Sequence, residues 1–175
     1  MAKIAPGKGC KLALLLLARV GGQMRRKARE LVFKVLFEHA VGGVPLEAAW
    51  QHATQEVEPE ESDQDADVLD GEGLSFAHRL VQGYQAQQQT VDEVLASTIE
   101  GWSFGQMAKT DLAVLRLAAY EMLFEPTPYA PLIEVAVKIA KRYGGEDSGR
   151  FVNGVLARLL KRIEAGELSA VTKNE

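Results

Sequence analysis

Arg25, Arg26 and Arg29 open a helix-like segment that also carries Phe33 and Phe37, and this mixture of cations and aromatic rings suits one kind of chemistry. At about 100° of rotation per residue, with Arg25 at zero, Arg26, Arg29, Phe33 and Phe37 fall within roughly 40° to 120° of the helix circumference. Guanidinium groups neutralise phosphates and aromatic faces stack on unpaired bases, the combination by which single-stranded RNA is held. The same residues have a plainer reading, in which Phe33 and Phe37 widen a buried stripe and the arginines form a solvated face. Spacing alone leaves both open.

A second concentration lies in the glycine-rich elbow running from Gly144 to Phe151 and directly into an amphipathic helix. Asp147 or Ser148 can cap the free N–H groups of that helix. Helix N-terminal N–H groups attract an anion, Arg150 adds positive charge, and Phe151 offers a ring that either stacks on a base or belongs to the core. Asp147 repels a phosphate, so it reads as a cap or as a moderator of affinity. Gly154, inside the helix, suggests close packing.

Catalytic chemistry finds no comparable footing. Gly7-Lys8-Gly9 and Gly71-Glu72-Gly73 are isolated and lack the rest of a phosphate-binding fingerprint, and Cys10 has no base beside it. His39, His52 and His78 are too far apart for a helical metal pair. The expectation is a non-enzymatic protein with no cofactor and no metal.

The elements that must position these residues all read as helices. One covers Arg25 to Val41, with Ala28, Leu31, Val32, Val35, Leu36 and His39 at core spacing, and stops at Gly42-Gly43. A second starts near Pro45, a third covers roughly Leu74 to Thr98, and a fourth runs from about Lys109 to Phe124 before Pro126 and Pro128. Pro131 opens a fifth helix reaching Tyr143, and the elbow leads into the last. The expected fold is all-α, two packed helical subdomains of three and three to four helices, divided near residue 100. Residues 24–165 form that single domain and residues 166–175 a polar tail.

Net charge is −4, but nine acidic residues and no basic one lie between Glu56 and Glu72, a segment that reads as a solvated loop. Outside it 20 basic side chains face 15 acidic ones, a surplus of five that suits a localised anionic contact. One cysteine excludes an internal disulfide framework and makes the cytoplasm the expected compartment. In residues 1–23, three lysines precede the apolar run Leu12 to Ala18, imitating a signal peptide, but the run is too short to span a bilayer. This stretch is expected to be an extension, with Met24 as the true start.

Taken together, the Arg25-Arg26-Lys27-Ala28-Arg29-Glu30 segment, the run Leu115-Arg116-Leu117-Ala118-Ala119-Tyr120-Glu121 followed by Pro128-Tyr129, and the elbow through Leu156 resemble the NusB transcription antitermination family, from about Met24 to Arg162. The resemblance implies an RNA surface that binds boxA-like single-stranded RNA through Arg25, Arg26 and Arg29 on the family's basic motif, with Phe37 where an aromatic residue is usual; Phe33 joins them by its spacing on the same helical flank. The resemblance extends that surface to Asp147, Ser148, Arg150 and Phe151, with Gly149 where the family commonly carries a larger polar residue. It further implies a ribosomal-protein partner, NusE, contacted through Asp111, and an antitermination complex with RNA polymerase and other Nus factors that promotes read-through, notably of ribosomal RNA operons. Asp111 equally suits stabilisation of a helix N-terminus, and Arg116, Tyr120 and Glu121 suit a buried polar network. The alternative class is a helical protein-interaction scaffold or homodimer that does not touch RNA.

Overall fold

The computed structural model describes residues 8–55, 69–101 and 103–174, with side chains in the first helix from residue 22 onward. Among the described residues the chain is all-α: α1 (Lys8–Gly42), α2 (Leu46–Gln55), α3 (Gly71–Thr98), α4 (Lys109–Phe124), α5 (Tyr129–Gly144) and α6 (Glu146–Glu164), with a 3-10 turn at Phe104–Gln106. Most of the acidic segment, residues 56–68, lies outside the described residues, as do residues 1–7.

The first helix is longer than expected, running through Met24 without a break. It stops where predicted, because Gly43 takes a φ of 64° and donates its N–H to the His39 carbonyl at 3.0 Å. The third helix begins three residues earlier than expected. Asp70 caps it, accepting from the Gly73 N–H at 2.7 Å, so the end of the acidic segment starts a helix.

α4 is apolar around most of its circumference, and Leu112 to Leu123 are buried apart from Arg116. It packs on α1 and α3 on one side and on α5 and α6 on the other. The two helical groups therefore share α4 as a common wall, and the core is one continuous cluster. Arg162 of α6 ties the end of α3 to this wall, donating to Thr98 Oγ1 at 2.6 Å and Ser97 Oγ at 2.9 Å.

The polar C-terminal tail folds back onto the helices. Its Val171 N–H donates to the Leu123 carbonyl at 3.0 Å and its Asn174 N–H to the Pro126 carbonyl at 2.8 Å, so it straps across the end of α4. Lys173 closes the strap by donating to the carbonyls of Glu121, Met122 and Glu125. A lysine belongs there, where the last carbonyls of the helix still have acceptor capacity and its dipole is negative.

Candidate nucleic-acid interface

The basic face of α1 divides where its neighbours cover it. Arg25 and Arg26 are exposed, whereas Arg29, predicted on the same flank, is buried. Its guanidinium meets the Glu121 carboxylate of α4 in a two-pronged ion pair, Nε to Oε2 at 2.8 Å and Nη2 to Oε1 at 2.7 Å. Burial pushes the Glu121 carboxyl upward, and Arg29 pulls against that shift. Arg29 is thus a structural cation under the surface, and its placement on the solvent side is corrected. The reason is width: α4 covers the flank of α1 beyond the apolar stripe.

Phe33 is corrected in the same way, being buried at 3% exposure, while Phe37 remains 37% exposed. The two rings lie 6.0 Å apart, and Phe33 also packs at 4.8 Å against Tyr143, the last aromatic of α5. Tyr143 is as exposed as Phe37. A buried ring therefore joins two half-exposed ones on different helices. The Arg142 guanidinium lies 5.5 Å from the Tyr143 ring centre, and burial together with the nearby Glu30 carboxylate raises the Tyr143 phenol.

On the other side, the Phe76 ring of α3 gathers three guanidinium groups, Arg29 and Arg79 at 5.3 Å and Arg25 at 5.8 Å from its centre. Between α1 and α5 opens a cleft of about 670 Å³, with Arg25 and Arg26 on one wall and Lys138 and Arg142 on the other. Glu30 spans it, accepting from Arg26 at 3.4 Å and from Arg142 at 3.0 Å.

The elbow turns on Gly145, whose φ of 89° admits glycine far more readily than any L side chain. Helix α6 starts immediately after it, with Gly145 itself at the cap position and no side-chain cap, so the expectation that Asp147 or Ser148 caps the helix is corrected. Asp147 sits in the first turn, almost fully exposed, and pairs with Arg150 one turn on. Ser148 is buried. Gly149 is buried beneath the Lys141 stem of α5, where a Cβ would collide with that side chain, which accounts for the small residue there. Gly154 has no neighbour near its missing side chain, so it is not a close-packing position.

Phe151 is partly buried against the core and lines two hollows. One, of about 300 Å³, is also lined by Asp111, Asp147, Ser148 and the turn at Gln106–Ala108. Asp111, in the first turn of α4, is buried at 8% exposure, and its Oδ1 accepts no hydrogen bond among the described residues. The elbow and Asp111, assigned to different partners by the resemblance, thus meet at one hollow, while the arginines of α1 do not line it. The polar network expected around α4 is present: Arg116 is forked on Asp92 at 2.9 and 3.1 Å, and the Tyr120 hydroxyl donates to Glu125 at 3.1 Å.

Sequence reasoning passed over Lys138, Arg142, Tyr143, Phe76 and Arg79. The signal for the first three was available, since Lys138 and Arg142 lie four residues apart and Tyr143 adjoins them, but nothing in the sequence aligns α5 with α1. Among the described residues no group of three or more His, Cys, Asp or Glu side chains could hold a metal. Nor, among them, is any helix long and apolar enough to cross a membrane.

Comparison with known proteins is consistent with this architecture. A NusB family profile matches residues 26–161. The transcription antitermination protein NusB of Thermus thermophilus is 65% identical over 150 residues, covering 86% of this chain and 99% of that protein. T. maritima NusB superposes with a TM-score of 0.68 at 36% identity, over 82% of this chain and 97% of that one. A chain from the crystal structure of antitermination factors NusB and NusE in complex with dsRNA shares the fold, with a TM-score of 0.69 at 21% identity over 79% of this chain and 97% of that one. With the family profile spanning most of its length and a relative this similar, the chain belongs to the NusB family.

Proposed function

We propose that this chain is a non-enzymatic transcription antitermination factor of the cytoplasm that binds boxA-like single-stranded RNA and pairs with the ribosomal protein NusE. In this reading the pair joins RNA polymerase and other Nus factors and promotes read-through, notably of ribosomal RNA operons. The observation that carries it is the surviving half of the α1 face, where exposed Arg25 and Arg26 and, about three turns further along the same helix, half-exposed Phe37 share a flank pinned from below by Arg29. Such a surface neutralises phosphates and stacks bases. Arg150 and Phe151 extend the RNA surface to the elbow, with Ser148 beneath them, and Asp111 is assigned to NusE.

Arg26→Glu tests the reading. Arg26 pairs with Glu30 one turn on, an exposed interaction worth a few tenths of a kcal/mol, so melting should be nearly unchanged. Affinity for a boxA-like RNA oligonucleotide should fall, and its salt dependence should flatten by about 0.7 in log–log slope, because one phosphate is no longer neutralised. RNA affinity unaffected by this change, or absent from the wild-type protein with and without NusE, would favour the scaffold.

A further inference from the structure

We propose that the cleft between α1 and α5 is a track for the RNA phosphodiester backbone, in which Lys138 and Arg142 of α5 contact phosphates opposite Arg26 of α1. The proposal rests on the RNA-binding reading and adds a second helix to it. Six cationic side chains line the cleft: Arg25, Arg26, Lys27 and Arg29 from α1, with Lys138 and Arg142 from α5. Arg29 is balanced by Glu121, and even with Lys27 left out of the tally Arg25, Arg26, Lys138 and Arg142 face only the carboxylates of Glu30 and Glu134. A concave surface with a surplus of two positive charges concentrates a polyanion.

The geometry of the walls is set before any ligand arrives. Glu30, only 15% exposed, holds the guanidiniums of Arg26 and Arg142 on either side of itself, yet these remain 47% and 59% exposed. Each guanidinium carries five N–H donors and gives Glu30 only a part of them, so donors from two helices are left to converge on an incoming phosphate. Lys138 is tethered one turn back to Glu134 at 2.7 Å with its ammonium still exposed, on the same wall as Arg142. Next along α5 from Arg142 is Tyr143, which with Phe37 offers aromatic edges around buried Phe33. Both rings lie outside the cleft, and Tyr143 follows its Arg142 end, so a strand that leaves the track there would meet them, the pairing of charged groove and stacking platform used for single strands.

The test compares the wild-type protein, Arg26→Gln, and the double variant Lys138→Gln/Arg142→Gln for binding a labelled boxA-like RNA oligonucleotide across a salt series. The double variant should melt like the wild type and show a log–log salt slope shallower by about 1.4, about 0.7 for each phosphate it no longer neutralises. A slope and affinity unchanged in the double variant, but reduced in Arg26→Gln, would overturn the α5 wall and leave the RNA reading standing. Wild-type protein without salt-dependent RNA affinity would overturn both. Loss of NusE affinity with RNA affinity retained would assign the cleft to a protein and overturn the track. Should the double variant melt early, lysine acetylation of the unaltered protein decides: RNA should protect Lys138, and unchanged reactivity there would overturn the proposal.

Discussion

Arg29 of α1 and Glu121 of α4, 92 residues apart, form a buried ion pair with contacts at 2.7, 2.8 and 3.1 Å. The pair fixes the rotation of α1 against the central helix, and so decides which arginines reach solvent. Removing one partner strands a charge in the core. Arg29→Met or Glu121→Leu should each cost about 3 to 5 kcal/mol, whereas the double replacement should recover most of that loss. Urea unfolding of the three variants checks it; single variants as stable as the wild type would show that the pair does not hold the helices.

Asp147→Asn is expected to leave RNA binding unchanged or tighter. Asp147 is exposed, caps nothing, and pairs with Arg150 on the elbow, so neutralising it releases that guanidinium for a phosphate. Stability should shift by no more than about 0.5 kcal/mol, as for an exposed substitution. Weaker RNA binding at unchanged stability, measured by titration and thermal melt, would mark Asp147 as a direct base contact.

Asp111→Asn should weaken the NusE complex far more than RNA binding by the isolated chain. The change keeps the volume of a buried side chain whose Oδ1 accepts no hydrogen bond within the described residues. If a NusE cation completes it, losing the charge strands that cation, at a cost of about 2 to 5 kcal/mol in affinity. A helix-dipole role predicts instead a loss of about 0.3 to 1 kcal/mol in stability with normal partner affinity. Calorimetry against NusE beside a thermal melt separates them. Because Asp111 shares its hollow with Asp147, Ser148 and Phe151, the RNA titration must be done without NusE.

Lys173→Met should destabilise the fold although it lies two residues from the end of the chain. The ammonium donates to three carbonyls at the end of α4, at 3.1, 2.7 and 2.6 Å, and methionine keeps the length without the donors. Hydrogen bonds to charged groups are worth about 1.5 to 3 kcal/mol, and for a chain of this size each kcal/mol lowers Tm by about 2 to 4 °C. An unchanged melt would show the strap to be incidental.

The amino-acid sequence by itself determined the helices. Apolar residues at helical spacing, Gly43 after α1, the prolines after Phe124 and the turn at Gly145 are local signals, and α4 runs from Lys109 to Phe124 as its pattern predicts. The family motifs were equally legible, because they are contiguous stretches. Spacing gives the direction in which a residue points, but the width of the buried arc depends on what packs against it. Arg29 and Phe33 went under the surface, and Phe37 stayed at its edge, because α4 and α5 lie where they do. For the same reason only the tertiary structure set Lys138 and Arg142 beside the arginines of α1 and Tyr143 against Phe33, brought Asp111 to the elbow, and returned Lys173 to the end of α4. These are contacts between segments far apart in the chain, settled by core packing and by the need to pair buried charges.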